Sequence, residues 1–249
     1  MILAIETATD VCGVALVHEQ KVVASQSVKE KNVHSERLLP MVDAILSEAS
    51  VAIDNVEAFA VSIGPGSFTG LRIGLSTAKG LALARRKPII AVPTLDALAF
   101  GYFLANPDNP DLILCPLIDA KRDEAFFCFF KADITGVHRL SEYGIAAASK
   151  IIESADGYDA VVFVGDGVKK VERLRSTKSI LRWRPEIVCD PTAVGMLAEN
   201  NGVKLSAAEI STLEPFYLRD FAVTHGGGKK TGTLRSAAAL ETNAHSFEG

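Results

Sequence analysis

The sequence predicts an α/β fold in which one unit, an antiparallel β-meander followed by helix, strand and helix, is used twice. Three observations point there. Near Ser35 the apolar spacing changes from a strand-like to a helix-like period. A strand-like run at 57–63 feeds a glycine-rich loop and a long apolar helix. An apolar strand closing in an acidic turn occurs near residue 6 and again near 119, with Glu6 matching Asp119 and Asp10 matching Asp123 at a constant offset of 113. A repeat of that size sets the fold class.

Taken in order, residues 2–6, 12–17 and 21–28 read as three strands with a short turn at 18–20. A helix over about 36–49 follows, with Ser35 as its N-cap and Glu36 in the first turn. Leu38, Met41, Val42, Ile45 and Ala49 share one face, and Leu39 and Leu46 widen it. After the strand at 58–63 comes the loop with Gly64, Gly66 and Gly70, then a helix over about 70–84. Such a loop allows a tight turn, and the helix start offers free N–H groups to an anion. Gly70 is nevertheless followed by Leu71 and Arg72, not by the Lys-Ser/Thr of a P-loop. Gly70, Gly74 and Ala78 recur every four residues, a spacing that suits close approach either by the chain's own elements or by another molecule.

Pro88 ends that segment, 89–92 is a short strand, and Thr94 caps a helix to about Leu104. The linker 106–111 then divides a first lobe, 1–106, from a smaller second one, 107–221. The second lobe has strands at 112–118, 125–130 and 160–164, a turn at 165–167 and a short helix at 168–174. A basic segment spans 169–184, and a helix runs from 191 to about 200. Residues 222–249 are small, polar and aperiodic and read as a disordered tail.

Composition narrows the function. A net charge of −4 argues against non-specific nucleic-acid binding by the bare chain. Cys12, Cys115, Cys128 and Cys189 form no CxxC pair and read as buried free thiols of a reducing compartment. The first residues lack a signal-peptide pattern, and the longest apolar stretch, 89–105, carries Pro93 and Asp96 and is too short to span a membrane. The expectation is a cytoplasmic protein with no membrane partner.

Five blocks, in order and spacing, carry a resemblance: Ile2-Leu-Ala-Ile-Glu-Thr-Ala-Thr-Asp10, His34-Ser-Glu-Arg-Leu-Leu-Pro-Met41, Gly64-Pro-Gly-Ser-Phe-Thr-Gly-Leu-Arg-Ile-Gly74, Ile118-Asp-Ala-Lys-Arg-Asp-Glu124 and Pro215-Phe-Tyr-Leu-Arg219. Together they resemble the TsaB (YeaZ) family over residues 1 to about 221. The resemblance implies a two-lobed fold of the actin/Hsp70/sugar-kinase (ASKHA, ribonuclease H-like) superfamily with a reduced second lobe. It also implies a non-catalytic accessory subunit of the bacterial tRNA N6-adenosine threonylcarbamoyltransferase. The implied partners are TsaD, joined through helices 36–49 and 70–84, and the ATPase TsaE. A homodimer is implied in TsaD's absence, and tRNA is met only within the complex. TsaD holds its metal with a His-x-x-x-His pair just after the strand that follows the glycine helix. Thr94 and Leu98 stand at those positions here, and Leu98 cannot ligate a metal. No metal and no tightly bound cofactor are expected, with ATP or ADP left as ligands of the complex.

Other chemistries stand beside that reading. Glu6, Asp10, Asp119 and Asp123 occupy the superfamily's phosphate hairpins and define a vestigial nucleotide site, or, as the alternative, a weak stand-alone nucleotide hydrolase. A third reading is a peptidase: a nucleophilic one would need an oriented base beside Ser67 or Thr69, and His34 is not placed there by any spacing, while a metallopeptidase would be settled by metal analysis of the purified protein. For docking, the expected surface is Leu38, Leu39, Met41, Val42, Ile45 and Leu46 on the first helix, with Leu71, Ile73, Gly74, Leu75 and Ala78 on the second. The stripe on the first helix is wider than one sheet face consumes. The basic run of Lys169, Lys170, Arg173, Arg175, Lys178, Arg182 and Arg184 reads as a solvated face or as a phosphate contact within a complex.

Overall fold

The computed structural model describes residues 1–30, 32–107 and 111–218, so the predicted tail at 222–249 lies outside the described residues. The first meander is β1 (Ile2–Glu6), β2 (Val11–His18) and β3 (Lys21–Lys29). Glu19 and Gln20, both at positive φ, make the two-residue turn between β2 and β3. α1 (His34–Glu48) has no side-chain cap; Ser35 lies inside it, exposed. Its start is fixed instead by His34, whose Nε2 lies 3.1 Å from both the Thr9 and the Val11 carbonyl oxygens. β4 (Ala58–Gly64) leads into α2 (Phe68–Arg85), where Ser67 Oγ accepts from Gly70 N at 3.3 Å. β5 (Ile89–Pro93) and α3 (Thr94–Ala105) follow. Thr94 does not cap α3. It is the first helical residue, and its Oγ1 accepts from Gly64 N at 3.1 Å, tying α3 to the glycine loop.

The second half comprises β6 (Leu112–Asp119), β7 (Glu124–Phe127), β8 (Phe130–Asp133), β9 (Gly136–Arg139), β10 (Gly144–Ala147), α4 (Ala148–Ala155), β11 (Ala160–Val164), α5 (Val168–Val171), β12 (Ile180–Arg184), α6 (Pro191–Asn201), β13 (Lys204–Leu205) and α7 (Ala207–Thr212). The single strand predicted at 125–130 is therefore two. It breaks at Cys128 and Phe129, where Phe129 N donates to Ser141 Oγ at 3.0 Å.

The duplication is written in the sheet order. In the first sheet β3-β2-β1-β4-β5 lie side by side, and in the second β10-β7-β6-β11-β12 take the same places. In both, the fourth and fifth strands in the chain run parallel to the first. The β8–β9 hairpin is an insertion, and β13 adds an edge to the first sheet. The second copy is reduced, because the four residues of α5 stand where the first has the eighteen of α2.

Both faces of each sheet are covered, which is why its inner strands read as continuous apolar runs. Leu3, Ile5, Val14, Phe59 and Val61 face α1 and α2, whereas Ile2, Ala4, Val17, Ala58 and Ala60 face Val194 and Ala198 of α6. In the second lobe Leu114, Val162 and Val164 face Leu95, Leu98 and Tyr102 of α3, and Cys115, Val161 and Phe163 face α4 and α5. α3 of the first half thus packs on the second sheet, and α6 of the second half packs on the first. Residues 94–105 pack mainly on the second sheet, with Ala97 reaching the first-lobe core, while α6, β13 and Ile210 of α7 pack with the first sheet. All four cysteines are buried and unpaired. Among the described residues no helix is long and apolar enough to cross a membrane.

Candidate functional site

The glycine loop packs on the β1–β2 turn. A Cβ on Gly66 would stand 2.2 Å from the Ala8 carbonyl oxygen, one on Gly70 2.0 Å from that of Thr7, and one on Gly74 2.1 Å from Thr7 Oγ1. Ser67 N donates to Ala8 O at 2.7 Å, and Thr7 Oγ1 donates to Gly70 O at 2.8 Å. The four-residue spacing of Gly70, Gly74 and Ala78 therefore serves internal packing. The loop and the first hairpin turn are one unit.

Below it, Glu6 is fully buried. One oxygen accepts from Ala8 N at 2.9 Å and Thr9 N at 3.2 Å; the other accepts from Ser62 Oγ and from Cys189 Sγ, the latter at 3.2 Å. Burial pushes its carboxyl up to about 7 against these hydrogen bonds. Glu6 is a structural acid closing the turn from inside, with no exposed oxygen for a ligand.

Between the lobes lies a cleft of about 350 Å³, formed by the β1–β2 turn, the glycine loop, the β6–β7 turn, Asp166 and residues 216–218. Of the four predicted acids, Asp10 and Asp119 line it, Glu6 is inside the core, and Asp123 is exposed outside the lining. Asp119 Oδ1 receives Lys170 Nζ at 2.8 Å and Lys121 N at 2.7 Å. Burial favours its neutral form, but these partners outweigh burial and hold the carboxyl below the ordinary range. Asp166, missed from the sequence, accepts from Asp119 N at 3.0 Å. Burial raises it, and repulsion from Asp119 and Asp10 adds to the rise. Its signal was positional: the 165–167 turn follows β11 as the glycine loop follows β4.

A strap at 213–218, also unforeseen, crosses the cleft mouth. Phe216 N donates to Ile63 O at 2.7 Å, and its ring meets Tyr143 of the second lobe at 5.5 Å. Tyr217 lies 5.4 Å from Phe68, and Arg72 Nε donates to its hydroxyl at 3.2 Å.

The predicted docking residues are mostly core. Leu38, Met41, Val42, Ile45 and Leu46 of α1 are buried, as are Leu71, Gly74, Leu75 and Ala78 of α2. The wide stripe of α1 is consumed because the helix wedges between the sheet and α2. Leu39 stays 51% exposed and Ile73 partly exposed; the sequence reading overlooked Leu83, at 53%. Leu98 is buried against the second sheet. Among the described residues no group of three His, Cys, Asp or Glu side chains is placed to hold a metal ion.

The duplicated topology and the inter-lobe cleft define a two-lobed α/β protein built from two copies of one unit. A family model described as TsaD, tRNA N6-adenosine threonylcarbamoyltransferase, matches residues 21–225. The chain is 32% identical over 229 residues to the tRNA threonylcarbamoyladenosine biosynthesis protein TsaB of Escherichia coli, spanning 88% of this chain and 94% of that one. It is 29% identical to the protein of the same name from Bacillus subtilis, spanning 88% and 93%. The solved structure of YeaZ from Pseudomonas aeruginosa superposes with a TM-score of 0.73 at 29% identity, covering 87% of this chain and 99% of that one. The chain belongs to the TsaB (YeaZ) family.

Proposed function

We propose that the chain is a cytoplasmic, non-catalytic subunit of threonylcarbamoyladenosine biosynthesis. It dimerises with TsaD and supports transfer of the threonylcarbamoyl group to adenosine 37 of tRNA. The observation that carries this reading is the match to TsaB relatives along nearly their whole length. Two residues support the non-catalytic part: Thr94 and Leu98 stand where TsaD would carry metal-binding histidines, the first hydrogen-bonded to Gly64 N and the second buried. TsaE joins the pair, the chain forms a homodimer when TsaD is absent, and ATP or ADP enters only within the complex.

The docking face of this proposal is the outer side of α1 and α2, around Leu39, Ile73 and Leu83. Gly80 lies on that side of α2, and a Cβ added there would meet nothing within 4 Å. A mid-helix glycine costs about 1 kcal/mol against alanine. Nothing inside the chain requires it, and its absent side chain leaves room for a partner helix.

Co-purification with TsaD, followed by an assay of modified tRNA, tests the reading. The complex with TsaE is expected to modify tRNA and the chain alone to do nothing. Leu39→Glu is expected to break pairing with the fold intact, whereas Leu38→Glu should unfold the chain. Purified chain that turns over ATP, and loses this with Asp119→Asn, would establish the hydrolase reading instead.

A further inference from the structure

Positive charge is unevenly placed. Residues 169–184 hold seven of the 26 lysines and arginines and a single acid, Glu172, a local excess of six positive charges in a chain of net −4. The fold gathers this stretch at one rim. α5, the connection at 172–179 and β12 form the outer border of the second sheet, with β12 its end strand.

The inward positions are apolar. Val168 and Val171 are buried, Leu174, Leu181 and Trp183 pack on the same core, and the Trp183 ring stacks 5.1 Å from Phe163. Strand alternation then puts Arg182 on the opposite, exposed side. The connection is pinned: Ser179 Oγ donates to Ala155 O at 2.7 Å, Ser176 Oγ donates to Asp156, and Ser179 N donates back to Ser176 Oγ at 2.6 Å. Arg175 and Lys178 are thus presented from a held loop.

Within the rim, Lys170 is paired with Asp119 and Arg184 lies 3.9 Å from Glu186. Among the described residues Lys169, Arg173, Arg175, Lys178 and Arg182 have no carboxylate partner. Carboxylates stand along the same border, Asp156 under the connection and Asp111 and Asp159 in the cavity that Arg182 lines, yet none of them forms an ion pair with these five cations.

We infer that this rim of the second lobe binds the phosphate backbone of RNA. Four of its seven cations are arginines, whose planar fork matches phosphate oxygens. The choice of RNA over an acidic protein rests on the function proposed above. The rim belongs to the lobe that does not carry α1 and α2, so a partner docked on those helices leaves it open. Its contacts hold RNA without reading sequence.

The test measures binding of a labelled tRNA transcript by anisotropy over a salt series, for the complex with TsaD and for the chain alone. The double variant Arg173→Glu/Lys178→Glu is compared with Lys21→Glu/Lys29→Glu on β3, which makes the same charge change elsewhere. Circular dichroism checks the fold of each. Loss of two phosphate contacts is expected to lower the slope of log affinity against log salt by roughly 1.4–1.8 and to weaken binding on the order of tenfold at low salt. The β3 variant should bind RNA nearly as the wild type does. Equal losses in both variants, or none in either, overturn the inference, as does a rim variant that keeps RNA but loses TsaD or TsaE. If the wild-type complex modifies tRNA while the rim variant is unimpaired, only the rim assignment fails. If no complex forms, the proposed function fails, and the chain-alone series still decides the rim.

Discussion

Glu6 is a carboxyl without a cation beside it at the centre of the first lobe. Burial lifts it from an ordinary value of 4.5 to about 7. The folded value exceeds the unfolded one, so the fold prefers the protonated form. That contribution is fully present below about pH 4.5 and is lost as pH rises through 7. A shift of this size corresponds to roughly 3 kcal/mol. Glu6→Gln keeps an acceptor for Ala8 N and Thr9 N and removes the charge. Its melting temperature should gain on the wild type between about pH 4.5 and 7 and hold that gain above it, and parallel curves through this window would show that Glu6 does not titrate in the fold. Asp96, also raised by burial, to about 6, acts with the same sign, which is why the difference between the two proteins is the measurement. The sequence marked Glu6 as an acid at a strand end. Its burial was not legible, because that depends on Ser62 and Cys189, distant in the chain and brought over it by β4 and the approach to α6.

On α2, two glycines six residues apart have opposite environments. Gly74 lies against Thr7, whereas Gly80 faces open space. Gly74→Ala should destabilise by about 1–3 kcal/mol, the usual effect of overpacking. Gly80→Ala should stabilise by about 1 kcal/mol through helix propensity. Thermal unfolding checks both, and the stabilised variant should pair less well with TsaD if the outer face of α2 docks closely. The long elements of the first half were legible because each keeps one clear period over many residues. In the second half, α4 was legible in principle through Ile151, Ile152 and Ala155, yet its eight residues give little period. The inward alternation of Leu181 and Trp183 in β12 was obscured by the arginines between them. The β8–β9 insertion has short strands and only a partly apolar pattern, so sequence spacing could not separate it from β7.

The exchange of α3 and α6 was not legible at all. Both helices were visible, but which sheet each would cover is a long-range property that spacing does not encode. A fragment ending at residue 106 retains β1 to β5 but loses α6, which covers Ala4, Val17 and Ala60. It is therefore expected to lack cooperative unfolding by circular dichroism, and co-expression with 107–249 should restore it. A fragment that melts cooperatively alone would make the first lobe a self-sufficient domain.

The exchanged helices also touch, with Gly101 of α3 close enough to Ala193 of α6 that an added Cβ would lie 3.4 Å away. Mechanically the pair is a cross-brace. Widening the cleft by turning one lobe would shear both helices off the sheets they cover at the same time. The molecule is built as a strut, not a jaw, holding the outer face of α2 and the β12 border at a set angle to each other.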